Sequence, residues 1–249
     1  EARLRAAAQR EESGEIDEAI AHFAHLLSIE PESAALATQL TDLADRHGRW
    51  EDLASILSQT VTDGVPHGTR TSRMAMIARL HLERLDDTNG AVSWYERLLE
   101  SEPSHGEAFE VLTGHYREMG LSQDEARILA VWPKSANKAT SALHRRRLAA
   151  LQMDELGEPE RALEFLEQDL GTVVADDDLL SRAERLYAHF ERYGDLVALY
   201  RIALDQEDAK DADRIEWLAK LTQVAEVQLE DLDVAREAAL ALIALEPRH

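Results

Sequence analysis

Five arginines in two stretches of the chain are the side chains best suited to binding another molecule. Residues 126–153 hold three of them and no acidic residue, although the chain contains 49 acids, and residues 64–82 repeat this pattern more weakly. A guanidinium group donates paired hydrogen bonds to a carboxylate, so both stretches predict contacts with an acidic or C-terminal peptide. The candidate partner-binding residues are Arg70, Arg73, Arg145, Arg146 and Arg147.

The positions of Arg73 and Arg145 differ by 72. If the chain repeats with this period, the two side chains occupy equivalent places on two helices. The alternative is that the arginines pair with surplus carboxylates of neighbouring repeats, because the chain carries 27 Lys and Arg against 49 Asp and Glu. Both interpretations remain open at this point.

Other residues that could do chemistry lack the partners that the chemistry needs. His22 and His25 could share a metal ion on one helix, but no third or fourth ligand is identifiable. The acidic run from Asp205 to Asp213 lacks the glycine and final glutamate of a calcium-binding loop, and predicts a solvated turn. Phosphate-binding loops, nucleophile elbows and H-E-x-x-H motifs are missing from the sequence. We therefore predict no catalytic residue, no cofactor and no metal site, and hence no enzyme.

The composition of the chain limits the kinds of partner that we expect and bears on its cellular compartment. A net charge of −22 repels polyanions, so we expect no nucleic-acid partner. No run approaches the ~20 apolar residues of a membrane span, so we expect no membrane insertion. The chain has no cysteine, which excludes disulfides and leaves the compartment open, with the cytoplasm favoured over the periplasm.

A repeat in the sequence indicates the elements that position these side chains. Similar segments carry an alanine at the same place, and the positions of these alanines differ in turn by 72, 71 and 73. Pro31 and Pro103 follow two of these segments, and their positions also differ by 72. The repeated alanines are Ala19, Ala91, Ala162 and Ala235.

A second set of segments lies halfway between the first, so the unit is about 36 residues, as expected for helical-hairpin repeats. Each unit predicts a helix, a tight turn at a glycine such as Gly48, Gly120 or Gly194, and a second helix with one apolar stripe. The first helices of three units look long, roughly over 70–86, 141–156 and 213–229. The seven predicted units span residues 1–33, 34–68, 69–104, 105–138, 139–175, 176–210 and 211–249.

These segments resemble the tetratricopeptide repeat, in a divergent, bacterial-type array. The matching residues are Ala7, Ala19, Phe23 and Pro31 in the first unit, Ala91, Tyr95 and Pro103 in the third, Ala150 and Ala162 in the fifth, and Ala235 and Pro247 in the seventh. Even-numbered units depart from the motif, with Leu53, Glu125 and Leu199 where a small residue is expected. The resemblance implies an all-α, right-handed α-solenoid of about seven hairpins whose first helices line a concave groove.

The function implied by the resemblance is a non-enzymatic scaffold that binds a peptide or protein partner in that groove, with an acidic partner as one candidate. The alternative is an accessory or sensor module of a larger signalling protein or enzyme whose chemistry lies outside this segment. The last unit has no polar capping helix after it. This predicts either a fragment of a longer protein or end-to-end self-association.

Overall fold

The structure, a computed structural model, describes residues 10–11, 13–131 and 138–246, with the side chains of 138–141 excepted. Every regular element in these ranges is helical, which confirms the all-α prediction. Two motif residues, Ala7 and Pro247, lie outside the described ranges. The chain forms two compact units, residues 1–119 (unit 1) and 120–249 (unit 2).

Unit 1 is a succession of antiparallel helices in which each helix packs on the next. Short turns of two to seven residues join them, which is typical of helices that are neighbours in space. The helices are α1 (Ile16–Ile29), α2 (Ala34–His47), α3 (Trp50–Gln59), α4 (His67–Glu83), α5 (Thr88–Ser101) and α6 (Gly106–Glu118).

Unit 2 follows the same scheme with two additions. A π-helical segment, Leu151–Glu155, continues α8, and the short helix α10 is inserted before α11. The sequence predicted neither of these additions. The helices are α7 (Ser122–Ala130), α8 (Lys138–Ala150), α9 (Pro159–Glu167), α10 (Leu170–Val174), α11 (Asp177–His189), α12 (Tyr193–Leu204), α13 (Asp211–Val227) and α14 (Leu232–Leu245).

Side chains of the residues before the helices explain where several helices begin. The Asp87 carboxylate accepts a hydrogen bond from the Gly90 amide at 2.9 Å, and Asp231, at the equivalent position before α14, accepts one from the Val234 amide at 3.1 Å. Each carboxylate satisfies an amide that has no partner in the first helical turn. Pro31 follows the end of α1, as the sequence predicted, because proline cannot continue a helix.

One of the three predicted turn glycines is not at a turn. Gly48 and Gly120 adopt the left-handed conformation at the ends of α2 and α6, with φ of 66° and 67°. Gly194, the third predicted turn residue, instead lies inside α12, and Glu191 takes the positive φ of 55°. A glutamate in this conformation carries a cost of about 1 kcal/mol. No feature of the sequence marked Glu191 for that position.

The interior repeats with the period read from the sequence. All four repeated alanines are buried, with exposures of 0% to 6%. A polar contact repeats as well. The Tyr116 hydroxyl donates to the Glu96 carboxylate at 2.7 Å, and at the equivalent place in unit 2 the Tyr187 hydroxyl donates to Glu167 at 3.1 Å. Equivalent places along the chain are therefore equivalent in packing, which confirms the repeat.

Candidate binding surfaces

Arg73 and Arg145 occupy matching places on the long first helices α4 and α8, as their spacing predicted. Both side chains are almost fully buried, with 4% and 5% exposure. Burial lowers the pKa of each guanidinium, because a low-dielectric environment disfavours the charged form. Neither side chain therefore forms part of an exposed basic stripe in this structure.

Arg145 has partners for its buried charge. Its Nη2 lies 3.3 Å from an Asp169 carboxylate oxygen, and its Nη1 donates to the Phe165 carbonyl at 3.4 Å. The guanidinium also lies over the Phe165 ring, 4.9 Å from the centroid, where the ring face attracts a cation. These contacts make Arg145 a link between α8 and the segment that joins α9 to α10.

Arg73 lacks such partners among the residues that the structure describes. Both of its Nη atoms are buried without a hydrogen bond, and only the more distant charge of Glu32 offsets the burial. The alignment that places Ala91 on Ala162 places Leu98 on Asp169. A buried leucine therefore stands where Arg145 finds its carboxylate, and this explains why the two equivalent arginines differ.

The other candidate arginines contact carboxylates of the chain. Arg147 donates two hydrogen bonds to the fully buried Glu125, at 3.0 and 2.7 Å, and a third to Glu155. Arg70 pairs with Asp63 at 3.1 Å. These contacts agree with the alternative of internal pairing, and partner binding at these residues stays a prediction.

Arg146 differs from its neighbours because half of its side chain is exposed. Its Nε donates to both carboxylate oxygens of Asp176, at 2.9 and 2.8 Å, and its Nη2 donates to one of them. Asp176 is itself buried and also caps α11 by accepting from the Leu179 amide at 3.1 Å. Asp177 and Asp178 follow in the first turn, so carboxylates lie at the start of this helix, where the helix dipole favours negative charge.

Arg146 borders a groove in unit 2 with a volume of about 730 Å³. The groove lies between α8, α10, the start of α11 and the turn before α13. Five of its nine lining residues are polar or charged, and the other four are apolar or glycine. The lining residues are Ala142, Leu143, Arg146, Asp169, Gly171, Thr172, Ala175, Asp176 and Gln206.

Sequence reasoning found Arg146 but missed the other side of this groove. Leu143 is an exposed leucine in the same acid-free stretch, and its position off the buried stripe of α8 was a signal that the sequence contained. Thr172 and Ala175 come from the inserted helix α10 and the residue after it, which no periodicity marked.

A three-helix contact in unit 1 is strongly charged. Glu107 on α6 accepts hydrogen bonds from Arg79 on α4 and from the Tyr95 hydroxyl on α5, the latter at 2.7 Å. Chiefly through the Arg79 hydrogen bond, the pKa of Glu107 falls from 4.5 to about 2. The ionised carboxylate thus stabilises unit 1 above pH 4.5, and this stabilisation is lost as the pH falls towards 2.

We expect Glu107→Gln to lower the free energy of unfolding of unit 1 at neutral pH by about 1–2 kcal/mol, a value reduced for the partial exposure of the site. The difference from the parent chain should shrink between pH 4.5 and about 2, where Glu107 becomes protonated. Urea titrations over this pH range measure the difference in free energy of unfolding. Glu110→Gln, at an exposed position of the same helix, is the control. An equal effect of both variants at every pH would contradict the role given to Glu107.

Two kinds of site find no support in the part of the chain that the structure describes. None of the described residues form a group of three or more His, Asp or Glu side chains that could hold a metal ion. Within the same ranges, no helix has the combination of length and apolar character needed to cross a bilayer.

The helices and their period define the class of this molecule as a chain of consecutive α-helical hairpins. Within that class it is similar to tetratricopeptide-repeat proteins of known structure. YrrB, described as a tetratricopeptide-repeat protein with an unusual peptide-binding site, is 14% identical with a TM-score of 0.36, and the match covers 71% of this chain and 87% of YrrB. No family model and no curated protein matches the sequence.

Two further solved structures show the same kind of likeness. The C-terminal part of a tetratricopeptide-repeat protein from Cytophaga hutchinsonii is 12% identical with a TM-score of 0.35, covering 99% of this chain and 96% of that one. The TPR2AB domain of yeast Sti1, described as a complex with pHSP90, is 16% identical with a TM-score of 0.31, covering 98% of this chain and 92% of that one. The helices of this chain and their packing define the hairpins.

Proposed function

We propose that the chain is a non-enzymatic scaffold that binds a peptide segment of a partner protein, and that the groove beside α8 in unit 2 is its binding site. The observation that carries this proposal is the pairing of an exposed apolar side chain, Leu143, with a half-exposed guanidinium, Arg146, one helical turn apart in one groove. Leu143 would give the partner an apolar contact, and Arg146 would fix the orientation of the bound peptide.

The hydrogen bonds of Arg146 support a ligand that carries a carboxylate. Asp176 occupies Nε and Nη2, so Nη1 has no acceptor among the described residues. A carboxylate of the peptide, from a side chain or the C-terminus, would receive a charge-assisted hydrogen bond there. Thr172 and Gln206 offer polar groups along the same groove for the peptide main chain.

Two other candidate arginines, Arg145 and Arg147, support this site without contacting a ligand in the proposal. Arg145 fixes the segment that precedes α10 through Asp169, which lines the groove. Arg147 holds α8 to α7 through Glu125. Reversing the charge of Arg145 would place two carboxylates together in the interior, so such a variant tests folding rather than binding.

The test compares peptide binding by the parent chain and by the double variant Leu143→Ser, Arg146→Gln. Peptides with acidic or C-terminal carboxylates are selected from a random library against the parent chain, and their affinities are measured by fluorescence anisotropy. We expect the double variant to bind at least about tenfold more weakly, the equivalent of about 1.4 kcal/mol.

The control is Arg161→Gln, which removes a more exposed arginine of unit 2 that pairs only with Glu158 on its own turn. It should leave the affinity unchanged. Unchanged affinity in the double variant, with circular dichroism showing both variants folded, would refute the groove as the site.

A further inference from the structure

An asparagine is followed by a glycine at the start of α5. Asn89 and Gly90 are the second and third residues of this helix, and Asn89 is exposed. The chain has one other asparagine, Asn137, and a lysine follows it. An asparagine before glycine loses its side-chain nitrogen more readily than other asparagines, because glycine has no Cβ to hinder attack by its own amide nitrogen. Asn89 is therefore a candidate for covalent modification.

The contacts around Gly90 explain why a glycine occupies this position. One oxygen of the Asp87 carboxylate accepts a hydrogen bond from the Gly90 amide at 2.9 Å, and the other oxygen lies 2.8 Å from Nδ1 of His81. A Cβ atom at position 90 would clash with the Asp87 carboxylate and with the His81 ring. Another residue would displace this pair, so the packing of His81 and Asp87 requires the glycine that makes Asn89 reactive.

The hydrogen bond between Gly90 and Asp87 also restrains the reaction. The Gly90 nitrogen must lose its proton and approach Cγ of Asn89, and the closed first turn of α5 holds that proton against the carboxylate. The Gly90 hydrogen bond is the main reason that the pKa of Asp87 is lowered, so the carboxylate is ionised and available as an acceptor at neutral pH. The first turn must open before the two atoms can meet, and the frequency of this local opening limits the rate.

The chemistry needs no reactant other than water. The Gly90 nitrogen forms a bond to Cγ of Asn89, the bond from Cγ to Nδ2 breaks, and the nitrogen leaves as ammonia with the proton that Gly90 gave up. Water then opens the five-membered imide at one of its two carbonyl groups. One opening gives aspartate, and the other gives isoaspartate, in which the main chain runs through the former side chain.

The repeat shows how the aspartate product would fit. Asn89 lies two positions before a repeated alanine, where the other three units with this alanine have an acid, namely Asp17, Glu160 and Asp233. These acids lie in the first turns of α1, α9 and α14, where the helix dipole favours negative charge, whereas α5 has no acid in its first turn. Helix α14 already has the arrangement that the reaction would create, with Asp231 as the cap and Asp233 two residues later.

We propose that Asn89 is a site of spontaneous deamidation, that the Asp87 cap slows the reaction, and that the aspartate product gives α5 the acidic first turn of its equivalents. The isoaspartate product would have the opposite effect, because its additional main-chain carbon interrupts the first turn of the helix.

The test follows the conversion at mildly alkaline pH, where the amide loses its proton more readily. Mass spectrometry of the peptide that contains residue 89 detects the replacement of NH2 by OH, and an isoaspartate-specific methyltransferase distinguishes the two products. We expect the folded chain to react at least about tenfold more slowly than the same chain in urea, because its first turn is closed. Asn89→Gln is the control and should not react, since its side chain would have to form a six-membered ring.

Two substitutions of Asp87 test the cap. Asp87→Ala should speed the reaction of the folded chain by about fivefold, the change in the open fraction expected when a helix cap is lost. Asp87→Ser also removes the contact with His81 but keeps a capping oxygen, so it should react about as slowly as the parent chain.

Hydrogen exchange tests the effect of the product on the helix. Asn89→Asp should slow exchange in the first turns of α5 by about two- to fivefold. The matched control is Asp233→Asn, the reverse change at the equivalent position, which should speed exchange at the start of α14 by a similar factor.

Four results would overturn the proposal. The chain in urea could fail to react at Asn89, or the folded chain could react as fast as the unfolded one. Equal rates for Asp87→Ala and Asp87→Ser would show that the cap does not control the reaction. Faster exchange in α5 of the Asn89→Asp variant would show that this helix does not accept the acid that its equivalents carry.

Discussion

Arg73→Met should stabilise unit 1, whereas Arg145→Met should destabilise unit 2, although the two positions are equivalent in the repeat. Both Nη atoms of Arg73 are buried without a hydrogen bond among the described residues. Methionine fills a similar volume without a charge to desolvate, and we expect a gain of about 1–3 kcal/mol. The Arg145 substitution removes the ion pair with Asp169 and the contact with the Phe165 ring, at a cost of about 1–3 kcal/mol.

Hydrogen exchange measured by mass spectrometry is the suitable readout, because it reports the opening of each unit separately. Each variant makes the net charge more negative by one, so general repulsion affects both alike and the opposite signs report the local environment. Arg161→Met, at a more exposed arginine, controls for the loss of a positive charge. If both substitutions stabilised their units, or both destabilised them, the presence of Asp169 beside Arg145 and the lack of an equivalent carboxylate beside Arg73 would not decide the stability of these sites.

The same pair of residues shows how far the sequence could predict the candidate sites. The acid-free stretch and the repeat spacing correctly indicated equivalent places on two first helices. They could not show which guanidinium groups reach solvent. Successive residues of a helix point about 100° apart, so Arg145, Arg146 and Arg147 take one buried, one half-exposed and one partly buried position. A shift of one residue in the phase of the apolar stripe would exchange these roles.

The ends of the helices were a separate uncertainty. The long helix predicted over 70–86 is α4, His67–Glu83, three residues earlier at both ends. The apolar stripe fixes the phase of a helix, but its first residue depends on the conformation of the residue before it, here Pro66, which has an extended ψ of 139°. In contrast, the alanine period predicted the packing of the interior well, because only a small residue fits where two helices approach closely.

The helix α10 shows a different limit. In the first, third and seventh units the second helix is continuous. In the fifth unit the second helix, α9, ends at Glu167, and α10 begins at Leu170. Asp169 ends that similarity, because its side chain accepts from the Thr172 amide and begins a new helix. The groove beside α8 depends on this local change, so a repeat-based argument could identify the hairpins but not the site between them.

A last prediction concerns the repeat position that distinguishes α14 from its equivalents. Leu99→Ala should destabilise unit 1 by about 2–5 kcal/mol, because it leaves a cavity under a packed helix. Ile243→Ala, at the equivalent position, should change the stability of unit 2 by less than about 0.5 kcal/mol, because the side chain is largely in water. Hydrogen exchange of each variant against the parent chain measures both effects.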